Sequence, residues 1–388
     1  MAPRFGTHPR LRRWRYQHCD CDRRVDRLAQ RVSRHWPGSR LAHGGLVQHV
    51  SPEISPGCFA APLASLGRDT VPTGEHFVRS HFGVPQLDTD LHAIEITGLV
   101  KRSVRWTLND FRKLSQISTH VTLECAGHRR MELAPSAPGV PWHLGAVSHA
   151  RWAGAQLADL FEIVRPLPEA THIVLSGADV GDVEGRTNPE AFARAIPLRD
   201  PVVREIILAW SMNGQGLTPE HGAPLRAVVP GWYAVSSVKW LSRIEFVSHE
   251  FDGFFQAVDY RVREAGDEGP GRELTVMPTH SLITSPSESE TIHAGAVVVA
   301  GTAWGGVGGI GPVELQVDDG EWQRVRTEPG PGIHAPTQFA HTIDLAPGTH
   351  TVRSRATDRK GNTQPHSIPW NSRGYGVNAV HTRTLNVI

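Results

Sequence analysis

The sequence predicts an α+β domain followed by an all-β sandwich of immunoglobulin type. Two observations lead to this prediction. Between about residue 56 and residue 275, short segments with strand-like alternation are mixed with short segments of helical spacing. From about residue 280 to residue 388, strand patterns follow one another with turns between them and no helical spacing. The length of 388 residues suits two or three domains.

The predicted elements of the first domain are short. Residues 91–98 alternate and end at a glycine, which predicts a half-buried strand. Thr107 then begins a short helix with Leu108, Phe111 and Leu114 on one face. Residues 155–164 place apolar side chains at helical spacing, so we expect a second amphipathic helix there. Further strands are predicted at residues 172–176, 205–210 and 224–230.

The second domain is predicted to contain only strands. Residues 296–304 form an apolar strand-like run, and residues 313–317 alternate strictly. The dipeptide of Asp319 and Gly320 follows them and indicates a hairpin turn. Residues 348–356 predict another strand, again followed by a turn.

A glycine pattern in this domain resembles a dinucleotide-binding fingerprint. Gly306, Gly308 and Gly311 satisfy the spacing G-x-G-x-x-G. A dinucleotide site needs a helix after the last glycine, so that its N-terminus faces the pyrophosphate. Pro312 and a strand pattern follow instead, so we interpret these glycines as a loop between strands.

The overall composition argues against two classes of partner. The formal net charge is +1, so no global field favours nucleic acid or an acidic membrane surface. Hydrophobic residues make up 39% and charged residues 20%, which is ordinary for a globular protein. No apolar run approaches the length of about 20 residues that a membrane-spanning helix needs.

Residues 1–55 differ from the rest of the chain. They hold eleven Arg and three acidic residues before position 50, with few periodic apolar residues, which predicts a mobile basic extension. A tail that binds RNA or a partner is the alternative, although the segment lacks interleaved aromatic residues. Because no apolar core follows the arginine pairs, we see no secretory signal. We therefore expect a cytoplasmic protein, or a periplasmic one if a leader is missing.

The four cysteines are too few to form a disulfide scaffold in a chain of this length. Cys19 and Cys21 follow His18, but zinc sites usually have wider spacing and a second ligand pair, so we disfavour zinc there. The run from residue 121 to residue 130 places Cys125 after a strand-like segment and shortly before two Arg. Such a thiol is either a small buried apolar group, a reactive thiolate or a ligand for a soft metal.

The motifs around Cys125 resemble those of the sulfite oxidase family of molybdenum-cofactor oxidoreductases. The resemblance extends from about Phe59 to the C-terminus and depends on several motifs in the same order. The first two are Phe-Val-Arg-Ser-His at residues 77–81 and Cys-Ala-Gly-His-Arg-Arg at residues 125–130. The others lie at residues 141–142, 145–152, 212–214, 221–226, 229–231, 237–240, 356–358, 361–365 and 370–374.

The resemblance implies a molybdenum centre held by the dithiolene of a molybdopterin and by the thiolate of Cys125. It implies that four side chains bind the substrate or act at the reacting centre: Arg79, Arg130, Tyr260 and Arg373. It implies that seven side chains bind the pterin and its phosphate: Phe77, His81, Asp179, His221, Arg226, Ser237 and Lys239. Two of these assignments leave alternatives open. Asp179 either binds the pterin or shapes its loop, and His221 either binds it or ends a turn. Arg129 is interpreted as a surface charge, or as a structural partner of Glu124 or Glu132.

The chain departs from the family pattern in two places. His128 stands where the motif usually has Asn, and a protonated imidazole there would add charge to the site. The loop at residues 305–310 lacks the Arg that sulfite-oxidising members carry. Losing one charge-assisted contact weakens the binding of an oxyanion by about 1.5–3 kcal/mol. The substrate is therefore either sulfite that binds less tightly or another compound.

The function implied by the resemblance is oxygen-atom transfer to a small oxyanion, with sulfite oxidation to sulfate as the first expectation. A nitrate-reductase-like reaction and a metal-free binding protein on the same fold are the alternatives. No haem-binding module is evident, so electrons leave to an external acceptor, for example a cytochrome. The second domain forms the dimer interface in the family, which implies a homodimer.

Overall fold

A computed structural model describes residues 51–266, 268–287, 290–306 and 308–388. These residues belong to one compact unit. Nearly all of the predicted basic extension, with Cys19 and Cys21, lies outside the described residues. The described chain is mostly sheet with few helices, which confirms the α+β class. None of the helices in these ranges is long and apolar enough to cross a membrane.

The elements of the first domain run from Glu53 to Glu273. Its strands are β1 (Glu53–Ser55), β2 (Cys58–Phe59), β3 (Ala93–Gly98), β4 (Val104–Thr107), β5 (Gln116–Glu124), β6 (Val147–Gln156), β7 (His172–Gly181), β8 (Glu190–Pro197), β9 (Ile207–Met212), β10 (Gln215–Gly216), β11 (Arg226–Val228), β12 (Leu241–Val247), β13 (Arg261–Val262) and β14 (Arg272–Glu273). Its α-helices are α1 (Leu108–Phe111) and α2 (Asp159–Val164). Short 3-10 turns occur at Leu63–Gly67, Thr73–Glu75, Arg130–Glu132, Pro201–Arg204, Pro219–His221 and Ala234–Ser236, and a π-helical turn at Phe255–Asp259.

Two five-stranded sheets form the body of this domain. One has the order β10-β9-β6-β5, with β11 also paired to β9. The other has the order β4-β3-β12-β7-β8, in which β3 and β12 are parallel. Gly98 ends β3 in a left-handed conformation, and a Cβ there would lie 2.2 Å from the Phe246 carbonyl oxygen. Only glycine fits this close approach, which explains why the predicted strand ends there.

The predicted helix at residues 155–164 is wrong in its first part. Residues 155 and 156 end the strand β6, and the helix α2 begins only at Asp159. Ala155 pairs with Gln116 on one side and with Leu208 on the other. β6 is a central strand buried on both faces, so its apolar residues do not alternate with polar ones. Without that strand signal, the helical spacing of Leu157 and Leu160 led to a predicted helix that begins too early. The predicted helix at Thr107 is confirmed but is a single turn, closed by a capping box with Asp110.

The second domain is a sandwich of two four-stranded sheets. Its strands are β15 (His280–Ser285), β16 (Gly295–Trp304), β17 (Ile310–Val317), β18 (Gln323–Arg324), β19 (Arg326–Pro329), β20 (Thr337–Leu345), β21 (Gly348–Asp358) and β22 (His381–Val387). The sheet orders are β15-β16-β20-β19 and β18-β17-β21-β22. A core between the sheets includes Val299, Val313 and Val352. The three predicted strands are confirmed as parts of β16, β17 and β21.

Gly306 and Gly308 lie between β16 and β17, and Gly311 and Pro312 are inside β17. The interpretation as a loop between strands is therefore confirmed. Gly306 packs against the first domain: a Cβ on it would lie 2.5 Å from the Gly231 carbonyl oxygen. This close backbone contact joins the two domains and leaves no room for a side chain at position 306. The domain limits of residues 56–275 and 280–388 stay predictions.

Candidate active site

Ten of the twelve predicted site residues line one cavity. The cavity receives side chains from the segment after the Thr73–Glu75 turn, from the end of β5, from β7 and from the region following β11. The ten residues are Phe77, Arg79, His81, Cys125, Asp179, His221, Arg226, Ser237, Lys239 and Tyr260.

Cys125 follows the last residue of β5 and is 8% exposed. Its backbone N–H donates to the Ala146 carbonyl oxygen at 2.9 Å, and its carbonyl accepts from the His128 N–H at 2.9 Å. Burial raises the pKa of the thiol, and the Gly127 N–H and the charges of Arg79 and Arg130 only partly oppose this. A soft metal ion that replaces the thiol proton supplies the positive charge that burial requires, so the position suits a metal ligand.

Arg79 lies on the wall of the same cavity. Its segment is held in place by two hydrogen bonds between the backbones of Phe59 and Val78, at 3.0 and 2.9 Å. Burial disfavours the cation, but the nearby Tyr260 and the two thiols of Cys58 and Cys125 outweigh it and raise the pKa of Arg79. The guanidinium donates to the carbonyl oxygen of Ser80. Arg79 is therefore a permanent cation beside the thiol.

His81 and Tyr260 form a hydrogen-bonded pair in this cavity. The His81 Nε2 and the Tyr260 hydroxyl are 2.8 Å apart. The imidazole stacks on Phe192, with ring centroids 4.7 Å apart, and meets Phe255 edge-on at the same distance. Burial, and then the charges of Arg79 and Lys239, lower the pKa of His81 well below its usual value. The ring is therefore neutral, and the π-helical turn before Tyr260 brings the phenol to it.

Two further cations line the cavity and are held by neutral oxygens. Arg226 donates to the carbonyl oxygens of His221 and Ser237, at 3.0 and 2.9 Å. Lys239 donates to the Ser80 hydroxyl at 2.8 Å and to the Glu220 carbonyl at 2.9 Å. Burial lowers the pKa of Arg226 to about 9 and that of Lys239 to about 7. Such depressed values mark buried cations whose charge the protein offsets only in part, for Lys239 through Asp179. A phosphate-binding site requires positive charge of this kind.

Asp179 is a buried acidic group on the cavity wall, which Glu220 also lines. It is 5% exposed, its Oδ1 lacks a hydrogen-bond partner, and burial raises its pKa to about 6, which the charge of Lys239 partly opposes. A buried carboxylate oxygen without a donor is costly, so this atom is suited to accept a hydrogen bond from a bound molecule. The unpartnered oxygen, the two cations held by neutral oxygens and the thiol together match a cofactor that carries N–H groups, a phosphate and a thiophilic metal. The residues present therefore fit a molybdopterin with its molybdenum.

Arg130 and Arg373 do not line the cavity. The guanidinium of Arg130 donates to the carbonyl oxygens of Arg373 and Val140, both at 3.0 Å. Arg373 forms an ion pair with Asp259, at 3.3 Å between Nη1 and Oδ1. Both therefore lie behind the wall formed by Tyr260 and Cys125, and their roles at the substrate stay predictions.

Two residues inside the motif at residues 125–130, His128 and Arg129, are structural. Arg129 is 1% exposed and donates to the carboxylate of Glu132 at 2.8 and 2.7 Å, which confirms the pairing with Glu132. His128 is fully buried beside the rings of His280 and Trp304. Burial, together with the neighbouring His280, lowers its pKa well below the usual value. His128 is therefore neutral and adds no charge to the site.

Sequence reasoning missed three residues of this region. His76 and Phe192 line the cavity, and Tyr375 lies directly behind Tyr260. Phe192 is an apolar residue in the middle of β8, where nothing in the pattern separates it from the core. Tyr375 lies two residues beyond Arg373, next to a matched motif, and a search for aromatic residues beside that motif would have found it.

Comparisons with known proteins show which families the chain resembles. Residues 81–255 match the family described as "Oxidoreductase molybdopterin binding domain", and residues 272–388 match the "Mo-co oxidoreductase dimerisation domain". The chain is 34% identical over 340 residues to "Sulfite oxidase, mitochondrial" of Rattus norvegicus, which covers 80% of this chain and 60% of that protein. It is 30% identical over 335 residues to "Sulfite oxidase" of Arabidopsis thaliana, which covers 78% of this chain and 84% of that protein.

A solved structure is also similar. The sulfane dehydrogenase SoxCD from Paracoccus pantotrophus superimposes with a TM-score of 0.78 and 26% sequence identity. The match covers 98% of this chain and 97% of that one. By contrast, the chain spans only about three fifths of the length of the rat relative.

Proposed function

Because this chain belongs to the sulfite oxidase family of molybdopterin-dependent oxidoreductases, we propose that it oxidises sulfite or a related sulfur compound by oxygen-atom transfer. The observation that carries the proposal is the convergence of Cys125, Arg79 and the His81–Tyr260 pair on one cavity that also holds the cations Arg226 and Lys239. The cavity thus combines a metal ligand, an oxyanion site and a phosphate site.

The bound molybdenum cofactor supplies the oxygen-atom transfer and accepts two electrons. Cys125 contributes one thiolate ligand to the metal. His221, Arg226, Ser237 and Lys239 hold the pterin and its phosphate, with Phe77 beside them and Asp179 accepting from the pterin N–H groups. These contacts use backbone-anchored cations and one orphaned oxygen, so the protein needs little rearrangement to bind the cofactor.

Arg79 is the residue that binds the oxyanion. It stays cationic at every physiological pH, and it lies on the same wall as the thiol. A guanidinium presents paired donors to an oxyanion, so it both attracts and orients the substrate. Arg130 and Arg373 are proposed to add positive charge from behind this wall, and Arg373 does so from the second domain.

The Tyr260 hydroxyl is the neutral donor of the site. The neutral imidazole of His81 carries one N–H, which it can direct to the phenol oxygen. In that tautomer the Tyr260 proton is free to point into the cavity, towards the substrate oxygens. Burial also raises the pKa of Tyr260 well above its usual value, so the hydroxyl keeps its proton.

A sulfur compound related to sulfite is proposed as an alternative substrate for two reasons. The loop at residues 305–310 offers no arginine to a sulfite ion, and Gly306 is packed against Gly231. The similar solved structure is a sulfane dehydrogenase. The related compound proposed is therefore one with a more reduced sulfur and a smaller charge density than sulfite.

The remaining properties follow the family. The dimerisation domain suggests a homodimer, and light scattering of the purified protein tests it. We propose an external electron acceptor such as a cytochrome, no haem in this chain, and a cytoplasmic location. The visible absorption of the purified protein tests the absence of haem, and cell fractionation tests the location.

The decisive experiment is to purify the protein from cells that make molybdopterin and to measure both molybdenum and turnover. We expect molybdenum in the wild type and oxidation of sulfite or thiosulfate with ferricyanide as acceptor. Cys125→Ser should lose the turnover, whereas Cys58→Ser, a buried thiol off the cavity wall, is the matched control. Protein without molybdenum would contradict the proposal in favour of a binding protein. Nitrate reduction with a reduced dye, without sulfur oxidation, would favour the nitrate alternative.

A further inference from the structure

Tyr375 of the second domain lies directly against the active-site phenol of the first. The rings of Tyr260 and Tyr375 are stacked, with centroids 5.2 Å apart and planes 9° apart. Both side chains are buried, at 4% and 7% exposure. Tyr260 lines the cavity and Tyr375 does not, so Tyr375 forms a second layer behind the cavity wall.

The backbone of Tyr375 is fixed on both sides. The side chain of Asn371 accepts from the Tyr375 N–H at 2.9 Å and donates to its carbonyl oxygen at 2.9 Å. The next residue, Gly376, donates its N–H to the carbonyl oxygen of Ala126 at 2.9 Å. Because Ala126 follows Cys125, this bond ties the segment of Tyr375 to the turn that carries the thiol.

The ring of Tyr375 makes two further contacts with charged groups. Its hydroxyl donates to Asp259 Oδ1 at 3.4 Å, and Asp259 is the residue immediately before Tyr260. The guanidinium of Arg130 lies over the ring, 5.3 Å from its centroid. Tyr375 therefore stacks its ring on Tyr260, donates its hydroxyl to Asp259 and lies under the guanidinium of Arg130.

We propose that Tyr375 is a positioning residue, contributed by the second domain, that holds the Tyr260 phenol in hydrogen-bonding contact with His81. On one side the Tyr260 hydroxyl is 2.8 Å from His81, and on the other side the flat ring of Tyr375 occupies the space into which Tyr260 would otherwise turn. A ring that is well packed on this face is preorganised for its hydrogen bond. The catalytic consequence depends on the proposed function; the placement of Tyr260 does not.

The first test is structural and uses the protein without cofactor. Crystal structures of Tyr375→Leu and Tyr375→Phe are compared with the wild type. In Tyr375→Leu we expect a second conformer of Tyr260 whose hydroxyl has left His81. Tyr375→Phe keeps the stacked ring and should keep the 2.8 Å contact. A single, unmoved Tyr260 in Tyr375→Leu would overturn the proposal. Tyr375→Met fills more of the space and serves as the aliphatic variant if the Leu variant does not fold.

The second test asks whether Tyr375 acts through the Tyr260 hydroxyl. With sulfite and ferricyanide, Tyr375→Leu should lower kcat/KM by about two- to tenfold, the range that an aromatic pair contributes. Tyr375→Phe should restore the wild-type value. In a Tyr260→Phe background, where the hydroxyl is absent, Tyr375→Leu should cause no further loss.

The outcomes separate the two hypotheses. Equal losses in both backgrounds would show a general structural role and refute the positioning role. A molybdenum-loaded wild type that oxidises no sulfur compound would refute the proposed function, while the crystallographic result would still decide the placement of Tyr260. Molybdenum content is measured for every variant, so that a loss of cofactor is not counted as a loss of positioning.

Discussion

Lys239→Met should change how the stability of the cofactor-free protein depends on pH. Burial, and then the charge of Arg226, lower the pKa of Lys239 from 10.5 to about 7. The unfolded chain therefore binds more protons than the folded protein between these two values. In that window, this one group makes the free energy of unfolding rise by about 1.4 kcal/mol for each pH unit.

The full effect corresponds to about 5 kcal/mol of destabilisation, present below pH 7 and lost as the pH rises to 10.5. Lys239→Met removes the titrating group and keeps a side chain of similar length. It also removes the contacts to Ser80 and Glu220, which adds an offset that does not vary with pH. The advantage of the variant over the wild type should therefore shrink by about 2 kcal/mol between pH 8 and pH 9.5.

The assay is urea unfolding followed by tryptophan fluorescence at closely spaced pH values, for both proteins under the same buffer series. A difference in unfolding free energy that stays constant between pH 8 and pH 9.5 would refute the reasoning. Loading the wild type with cofactor should abolish most of the pH dependence, because a phosphate beside Lys239 restores the pKa of the amine. Lys113→Met is the matched control, since its ammonium is solvent-exposed beside Asp110.

Three further results are expected from the same arrangement of charges. Arg79→Gln should raise the KM for sulfite about 10- to 100-fold, because it removes a charge-assisted contact of about 1.5–3 kcal/mol. Arg102→Gln, at an exposed arginine, is the control. An unchanged KM in Arg79→Gln would contradict the role of Arg79. Arg129→Met should lower the free energy of unfolding, measured in urea, by about 1.5–3 kcal/mol, since the buried guanidinium donates to Glu132 and to the Ala379 carbonyl. A loss smaller than that of Glu132→Gln would show that the contact with the Ala379 carbonyl contributes nothing. Glu124→Gln should weaken the junction between the domains, because the buried carboxylate accepts from Trp304 at 2.7 Å and lies 3.1 Å from His280; an unaltered Tm would argue against it.

Most of the predicted site residues lie together in the fold, whereas the predicted local elements match it less closely. Cys125, Arg79 and Lys239 lie far apart in the chain, yet each belongs to a short motif with its own chemistry, and the fold brings them to one cavity. The helix at residues 155–164 was partly wrong because the buried central position of β6 removes the alternation that marks a strand. Phe192 could not be predicted, because an apolar side chain in a strand gives no sign of facing a cavity.

The prediction was weakest for residues whose role depends on the junction between the domains. Arg130 adjoins the cysteine motif, but its guanidinium faces the carbonyl of Arg373, which comes from the other domain. Tyr375 lies beside a matched motif, and its significance appears only when its ring is seen against Tyr260. Spacing along the chain carries no information on such contacts, because they depend on how two separately folded sheets meet.

The partners of the cations separate the structural arginines from those of the site. Arg129 and Arg194 each pair with a carboxylate, at 2.7 and 3.0 Å, and neither lines the cavity. The cavity is lined by three cations that donate to carbonyl or hydroxyl oxygens: Arg79, Arg226 and Lys239.

Neutral oxygens fix a cation in place without cancelling its charge, so the cavity keeps a positive field for a phosphate and an oxyanion. Asp179 on the wall fits this rule, because burial raises its pKa to about 6 and so opposes its negative charge. Arg130 also donates only to carbonyl oxygens, and its charge helps to lower the pKa of the Cys125 thiol. By this criterion Arg130 resembles the cations of the cavity, and its charge acts on the thiol that is proposed to hold the metal even though its own side chain does not line the cavity.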